Sequence, residues 1–135
     1  MSENDAVQSE SDVIYDWNQQ GFTLSPPLRR VEFVDETLRD GIQCPSVTDP
    51  PIEAKKRMVE LLASIGVNKV DVGLPGAGPR AVADVKTLVE HIRDNNLNIQ
   101  PQCAARTHPN DIRPIIEVSE QTGVPAAELL ALNRP

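Results

Sequence analysis

The chain has 135 residues, room for one modest domain, and carries a formal net charge of −7 at pH 7. That charge repels nucleic acid and anionic membranes, so neither is expected as a partner. Apolar residues make up 39% but include only one Trp, one Tyr and two Phe, which implies an aliphatic core.

No apolar run approaches the roughly 18 residues of a membrane span, and no signal peptide precedes the first predicted strand. Cys44 and Cys103 follow neither a zinc nor a disulfide spacing, as reduced thiols would not. A soluble, cytoplasmic protein is the expectation.

Residues 1–28 are polar and acidic, then interrupted by Gly21, Ser25, Pro26 and Pro27. With so little to bury they are expected to form a flexible N-terminal extension, its opening dozen residues disordered. Val13-Ile14-Tyr15-Asp16-Trp17 is the one patch able to dock on a domain surface. Residues 29–135 form the folded part.

The β-branched and aromatic run from Val31 to Val34 predicts a buried strand. It leads to Arg39 and Asp40 side by side, followed by a turn at Gly41. Polar chemistry therefore falls at the strand's carboxyl end, where parallel α/β proteins place their ligands. After a loop from Cys44 to Asp49, a helix is predicted with Asp49 as its cap, Pro50 or Pro51 in the first turn and Glu53 near the positive dipole end. Ala54, Met58, Leu61, Leu62 and Ile65 give it an apolar stripe, Lys55-Lys56-Arg57 a solvated face, and Gly66 its stop.

Lys69 to Leu74 is the second predicted strand. Pro75-Gly76-Ala77-Gly78 turns it into a helix that opens at Pro79 and buries Val82, Val85, Leu88, Val89 and Ile92. The spacing Gly-x-x-Gly-x-Gly reverses the dinucleotide fingerprint, so a tight turn is expected there and not a phosphate cradle. His91 lies near the helix end, on a solvated face or in contact with the dipole. Ile99 to Ala105 is the third strand, weakened by Pro101 and two Gln residues, with Arg106 at its carboxyl end. His108 beside Pro109 is expected to cap. Asp111 opens a helical pattern carried by Ile112, Ile115, Ile116 and Val118, and regular helix is expected only from Pro114, which lacks an amide donor. Gly123 closes it. A fourth strand is due after Val124, yet Ala126 to Leu132 prefers helix.

Three strand–helix units joined by right-handed crossovers make an α/β fold with parallel strands. The first of them carries a motif. Asp35-x-Thr37-Leu38-Arg39-Asp40-Gly41-x-Gln43 resembles the first-strand signature of the metal-dependent acyl-CoA condensing and cleaving barrels, and all seven of its fixed positions match. That superfamily holds isopropylmalate, homocitrate and citramalate synthases and hydroxymethylglutaryl-CoA lyase. Val70-Asp71-Val72-Gly73-Leu74-Pro75 is similar to its second strand, where many members carry Glu at the position of Asp71. Cys103-Ala104-Ala105-Arg106 is similar to its third-strand segment, leaning toward the synthases.

The resemblance implies the first three βα units of an eight-stranded TIM barrel of about 250 residues, incomplete in this chain. It implies an acyltransferase that condenses acetyl-CoA with a 2-oxo acid at a divalent metal ion (Mg, Mn or Zn), acts in amino-acid biosynthesis and forms a homo-oligomer. Asp40 matches the metal-binding carboxylate, and a hard cation wants such oxygen ligands. Arg39 matches the arginine facing the reacting carbonyl, where a fixed cation stabilises an enolate. Gln43 matches the last signature position and is expected to orient Arg39 or substrate; Arg106 is expected to meet a carboxylate substrate. The His-x-His pair that completes the family's metal site is absent, the two histidines being His91 and His108. The chain alone is therefore expected to be inactive, and oligomeric, aggregated or molten, since its sheet has open edges. Two alternatives are a hydroxymethylglutaryl-CoA lyase-like carbon–carbon lyase and a non-catalytic interaction fragment.

Overall fold

The computed structural model describes residues 30–130. The expected extension over residues 1–28, with its Val13–Trp17 patch, lies outside them. From Glu32 onward the described residues form one compact unit. Its order is β1 (Val34–Asp35), α1 (Ile52–Ser64), β2 (Lys69–Asp71), α2 (Pro79–Asp94), β3 (Gln100–Gln102), α3 (Pro109–Thr122) and a single turn, α4 (Ala126–Leu129). The strands form one open parallel sheet in the order β1-β2-β3, the α/β arrangement of the first three units of a barrel.

Register explains the residue pattern of the sheet. Val70 pairs with Pro101, and Asp71 with Gln102. Because side chains alternate between faces, Val70, Val72, Ile99 and Cys103 point together into the helix-covered core, where all four are buried. Lys69, Asp71, Gln100 and Gln102 point to the opposite face. The two Gln residues therefore interrupt only the sequence signal for the strand, not its core side.

The helix α2 matches its predicted stripe: Val85, Leu88, Val89 and Ile92 are buried, with Val82 packed against them. It lies between α1 and α3 and has neighbours on both flanks. The helix α1 does not match. Its buried residues are Lys55, Val59 and Leu62, whereas Ala54, Leu61 and Ile65 are exposed, Ile65 by 75%. Among the described helices α1 has only α2 beside it, so half of its apolar surface has nothing to cover it. The same cause exposes β1. Phe33 is 68% and Val34 48% accessible, because β1 is an edge strand. A buried first strand was expected; it is an open one.

Three end signals also differ. The cap residue of α1 is Pro51, with no side-chain bond, because Asp49 is drawn into ion pairs instead. Regular helix in α3 begins at Pro109, not at Pro114, which is accommodated inside it. The last stretch forms one helical turn, Ala126–Leu129, shorter than the expected Ala126–Leu132, whose end lies outside the described residues. Leu130 then makes a single parallel bridge to Cys103 without forming a fourth strand among the described residues. His108 caps α3 by accepting from the Asn110 amide at 3.2 Å, and Gly123 ends it in the left-handed conformation at φ 74°.

Candidate active site

The signature residues wind into a compact turn just past β1. The Asp35 carboxylate accepts from the Thr37 amide and hydroxyl, both at 3.0 Å, an Asx-type turn that bends the chain as the strand ends. The Glu36 carbonyl then accepts from the amides of Arg39, Asp40 and Gly41 at 3.1, 2.8 and 3.3 Å. A 3₁₀ turn at Gly41–Gln43 completes the bend. A Cβ at Gly41 would meet Thr37 only at ordinary contact distance, so this glycine is not required for steric reasons.

The bend brings Arg39 and Asp40 together as an ion pair, with the Glu36 carboxylate 3.5 Å from the same guanidinium nitrogen. Asp40 is the more exposed of the two. The Arg39 Nε is buried and has no hydrogen-bond partner among the described residues. An unpaired buried donor costs free energy, so the site has capacity for an acceptor there.

Arg39 lies between two hollows. A cavity of about 300 Å³ is lined by Arg39 and Gln43 together with Lys55, Arg80, Val72 and Leu74. A wider cleft of about 530 Å³ is lined by Glu36, Arg39, Asp71, Ala104, Arg106 and Asp111. The four residues singled out from the sequence are therefore only partly united. Arg39 and Gln43 share the first hollow, and Arg39 and Arg106 the second. Asp40 lines neither.

Arg106 is already engaged. Its Nε and Nη2 donate to Asp111 at 2.7 and 2.9 Å, and its amide donates to the same carboxylate at 3.0 Å. These bonds hold the Asp111 pKa down at about 2. Asp111 is buried against the turn after β2, where a Cβ on Gly76 would sit 2.7 Å from its Oδ1 and 3.2 Å from its Cα. Only glycine fits that approach. The guanidinium nonetheless remains largely exposed, so it can meet a further anion.

Asp71, named in the second-strand resemblance but given no role there, is the further residue that the structure brings to the cleft. It sits at the end of β2, 5% accessible, and its carboxylate accepts from the Gly73 amide at 3.0 Å. Burial pushes its pKa up to about 6, against the opposing pull of the Gly73 bond and the Arg39 charge. A carboxyl that titrates near neutrality beside a cleft is suited to proton transfer. The signal available in sequence was its place at a strand end before a Gly turn. Cys103 is buried and free, its pKa raised by burial and by the Asp71 charge, so it is an inert thiol. His91 bridges to Glu60 at 3.1 Å between α2 and α1 and takes no part in the site.

Among the described residues no three His, Cys, Asp or Glu side chains come together as a metal site. Asp40 alone does not make one. No described helix is long and apolar enough to cross a membrane.

Known proteins resemble this chain along most of its described length. The HMGL-like family model matches residues 30–129. The 2-isopropylmalate synthase of Lactococcus lactis subsp. cremoris is 25% identical over 108 residues, covering 80% of this chain and 20% of that protein. That of Halothermothrix orenii is 30% identical over 105 residues, 78% of this chain and 19% of that protein. That of Sulfurisphaera tokodaii is 32% identical over 74 residues, 55% of this chain and 19% of that protein. The chain spans about a fifth of the length of these relatives.

Proposed function

Because the chain belongs to the HMGL-like family, we propose that residues 29–135 supply the first three βα units of a 2-isopropylmalate synthase-like acyltransferase. The reaction is a Claisen-type condensation of acetyl-CoA with a 2-oxo acid in the cytoplasm, carried out by a homo-oligomer. In it a proton leaves the acetyl methyl carbon, and the resulting enolate carbon bonds to the keto carbon, whose oxygen takes up a proton to become a hydroxyl. Water then hydrolyses the thioester to a carboxylate and the thiol of coenzyme A.

The observation that carries this reading is Arg39. It stands just past the carboxyl end of β1 between both hollows, with a buried donor that no described residue satisfies. A fixed cation there stabilises the charge that develops on the enolate oxygen. Gln43 lines the same hollow and orients the acyl group or Arg39 itself. Arg106 offers its exposed edge to the 2-oxo acid's carboxylate while Asp111 holds its other edge fixed. Asp40 is the carboxylate this segment contributes to a divalent cation (Mg, Mn or Zn). The described residues do not complete that centre, nor do they assign the base that takes the methyl proton.

Release of coenzyme A from acetyl-CoA with a series of 2-oxo acids tests the reading, on the 135-residue chain alone and on the same chain within a complete barrel. The expected outcome is release by the barrel only, abolished by Arg39→Ala with circular dichroism unchanged. Turnover by the chain alone overturns the assignment of an incomplete site. Cleavage of hydroxymethylglutaryl-CoA without condensation assigns the lyase alternative instead.

A further inference from the structure

The most buried cation among the described residues is Lys55, in the first turn of α1. It donates to Asp49 Oδ1 at 2.7 Å and to Asp84 Oδ2 at 2.8 Å, and the second oxygen of Asp49 is paired with Arg80. Burial alone would lower the lysine's pKa, but the bonds from Asp49 and Asp84 outweigh it and raise it, so Lys55 is a cation at neutral pH. Removing one partner of such a cluster strands a buried charge.

The geometry of the cluster ties it to the site. Asp84 and Arg80 belong to α2, Lys55 to α1, and Asp49 to the loop that leaves the signature turn at Gln43. All four line the hollow of about 300 Å³ whose other wall holds Arg39 and Gln43. The loop between them is otherwise lightly held. Residues 43–49 are all exposed, and the Val47 amide donates only within the loop, to the Cys44 carbonyl.

We propose that Lys55 is a positioning residue: by holding Asp49 against α2 it fixes the loop from Gln43 to Asp49 and so sets the width of the hollow beside Arg39. This rests on the reading of Arg39 and Gln43 as the substrate-facing pair. Lys55 itself touches no reacting atom. It acts through Asp49.

The loop contains its own reporter. The Cys44 thiol lies 3.1 Å from the Ser46 hydroxyl, and that bond lowers its pKa, whereas Cys103 is buried and silent. The test is the pH profile of Cys44 alkylation in the 135-residue chain, with amide exchange of residues 41–49 followed in parallel. Asp49→Ala, which cuts the tether at its loop end, is expected to move the Cys44 profile toward that of a free thiol and to speed exchange over 41–49 by roughly tenfold. Exchange over Val85–Ile92 is expected to stay unchanged. Lys55→Met should reproduce both shifts, whereas Lys55→Arg, which keeps the cation, should leave both readouts at the values of the unaltered chain. A folded Asp49→Ala chain with an unaltered Cys44 profile and unaltered loop exchange overturns the proposal. So does an equal rise of exchange in the loop and in α2, which would make the cluster a general stabiliser. Neither readout needs turnover, so the tether can fail while condensation stands, and the reverse.

Discussion

At the scale of single residues, the site sets one donor unpaired among the described residues, Arg39 Nε, near one desolvated carboxyl, Asp71. The folded pKa of Asp71, about 6, lies above its ordinary value of 3.8. Between those limits the folded state holds more protons than the unfolded one, so stability falls as pH rises through that window and is level above it. Asp71→Asn keeps an oxygen to accept from Gly73 and removes the buried charge. It should stabilise the chain at pH 7 by about 1–2 kcal/mol, after allowance for solvent screening on the open sheet face. Urea unfolding at pH 7 and pH 4 checks this: the gain should vanish at the lower pH, and a gain equal at both would mean the carboxylate is not desolvated. The neighbouring carboxylate has the opposite sign. Asp111, held down at about 2, contributes stability that is present above its ordinary pKa and is lost only as pH falls from there through about 2.

Elements are positioned by close approaches that a pattern of apolar residues does not encode. The turn after β2 meets the start of α3 through Gly76 and Asp111, with backbone and carboxylate both in the way of a larger residue. Gly76→Ala should displace Asp111, loosen its clamp on Arg106 and cost about 1–3 kcal/mol, read as a lowered melting temperature at unchanged helix content. The sequence made α2 legible and α1 illegible for one reason. Hydrophobic spacing reports the face a helix was built to bury, and α2 has a neighbour on each side to bury it. Among the described helices α1 is flanked on one side only, so Leu61 and Ile65 stay exposed while a residue from a charge run, Lys55, is buried in their stead. That burial was unreadable in sequence because its cause, Asp84, lies 29 residues away. The Arg39–Asp40 pair was legible because its positions are set locally, by the amides that converge on the Glu36 carbonyl.

For the whole molecule, the sheet's two edges are unequal. No described strand pairs with the outer side of β1, and Phe33 and Val34 are exposed there. The β3 edge is already being covered: the Cys103 amide donates to the Leu129 carbonyl at 2.7 Å, and Leu129 is fully buried. That contact makes a clock of the thiol. If Leu129 is what completes the cover over Cys103, the thiol is shielded only once the segment up to Leu129 has folded back on the third strand. A chain ending at Gly123 should therefore present two reactive thiols to a disulfide reagent where the full chain presents one, Cys44. If both lengths show one, the core residues around Cys103 cover it without the last stretch.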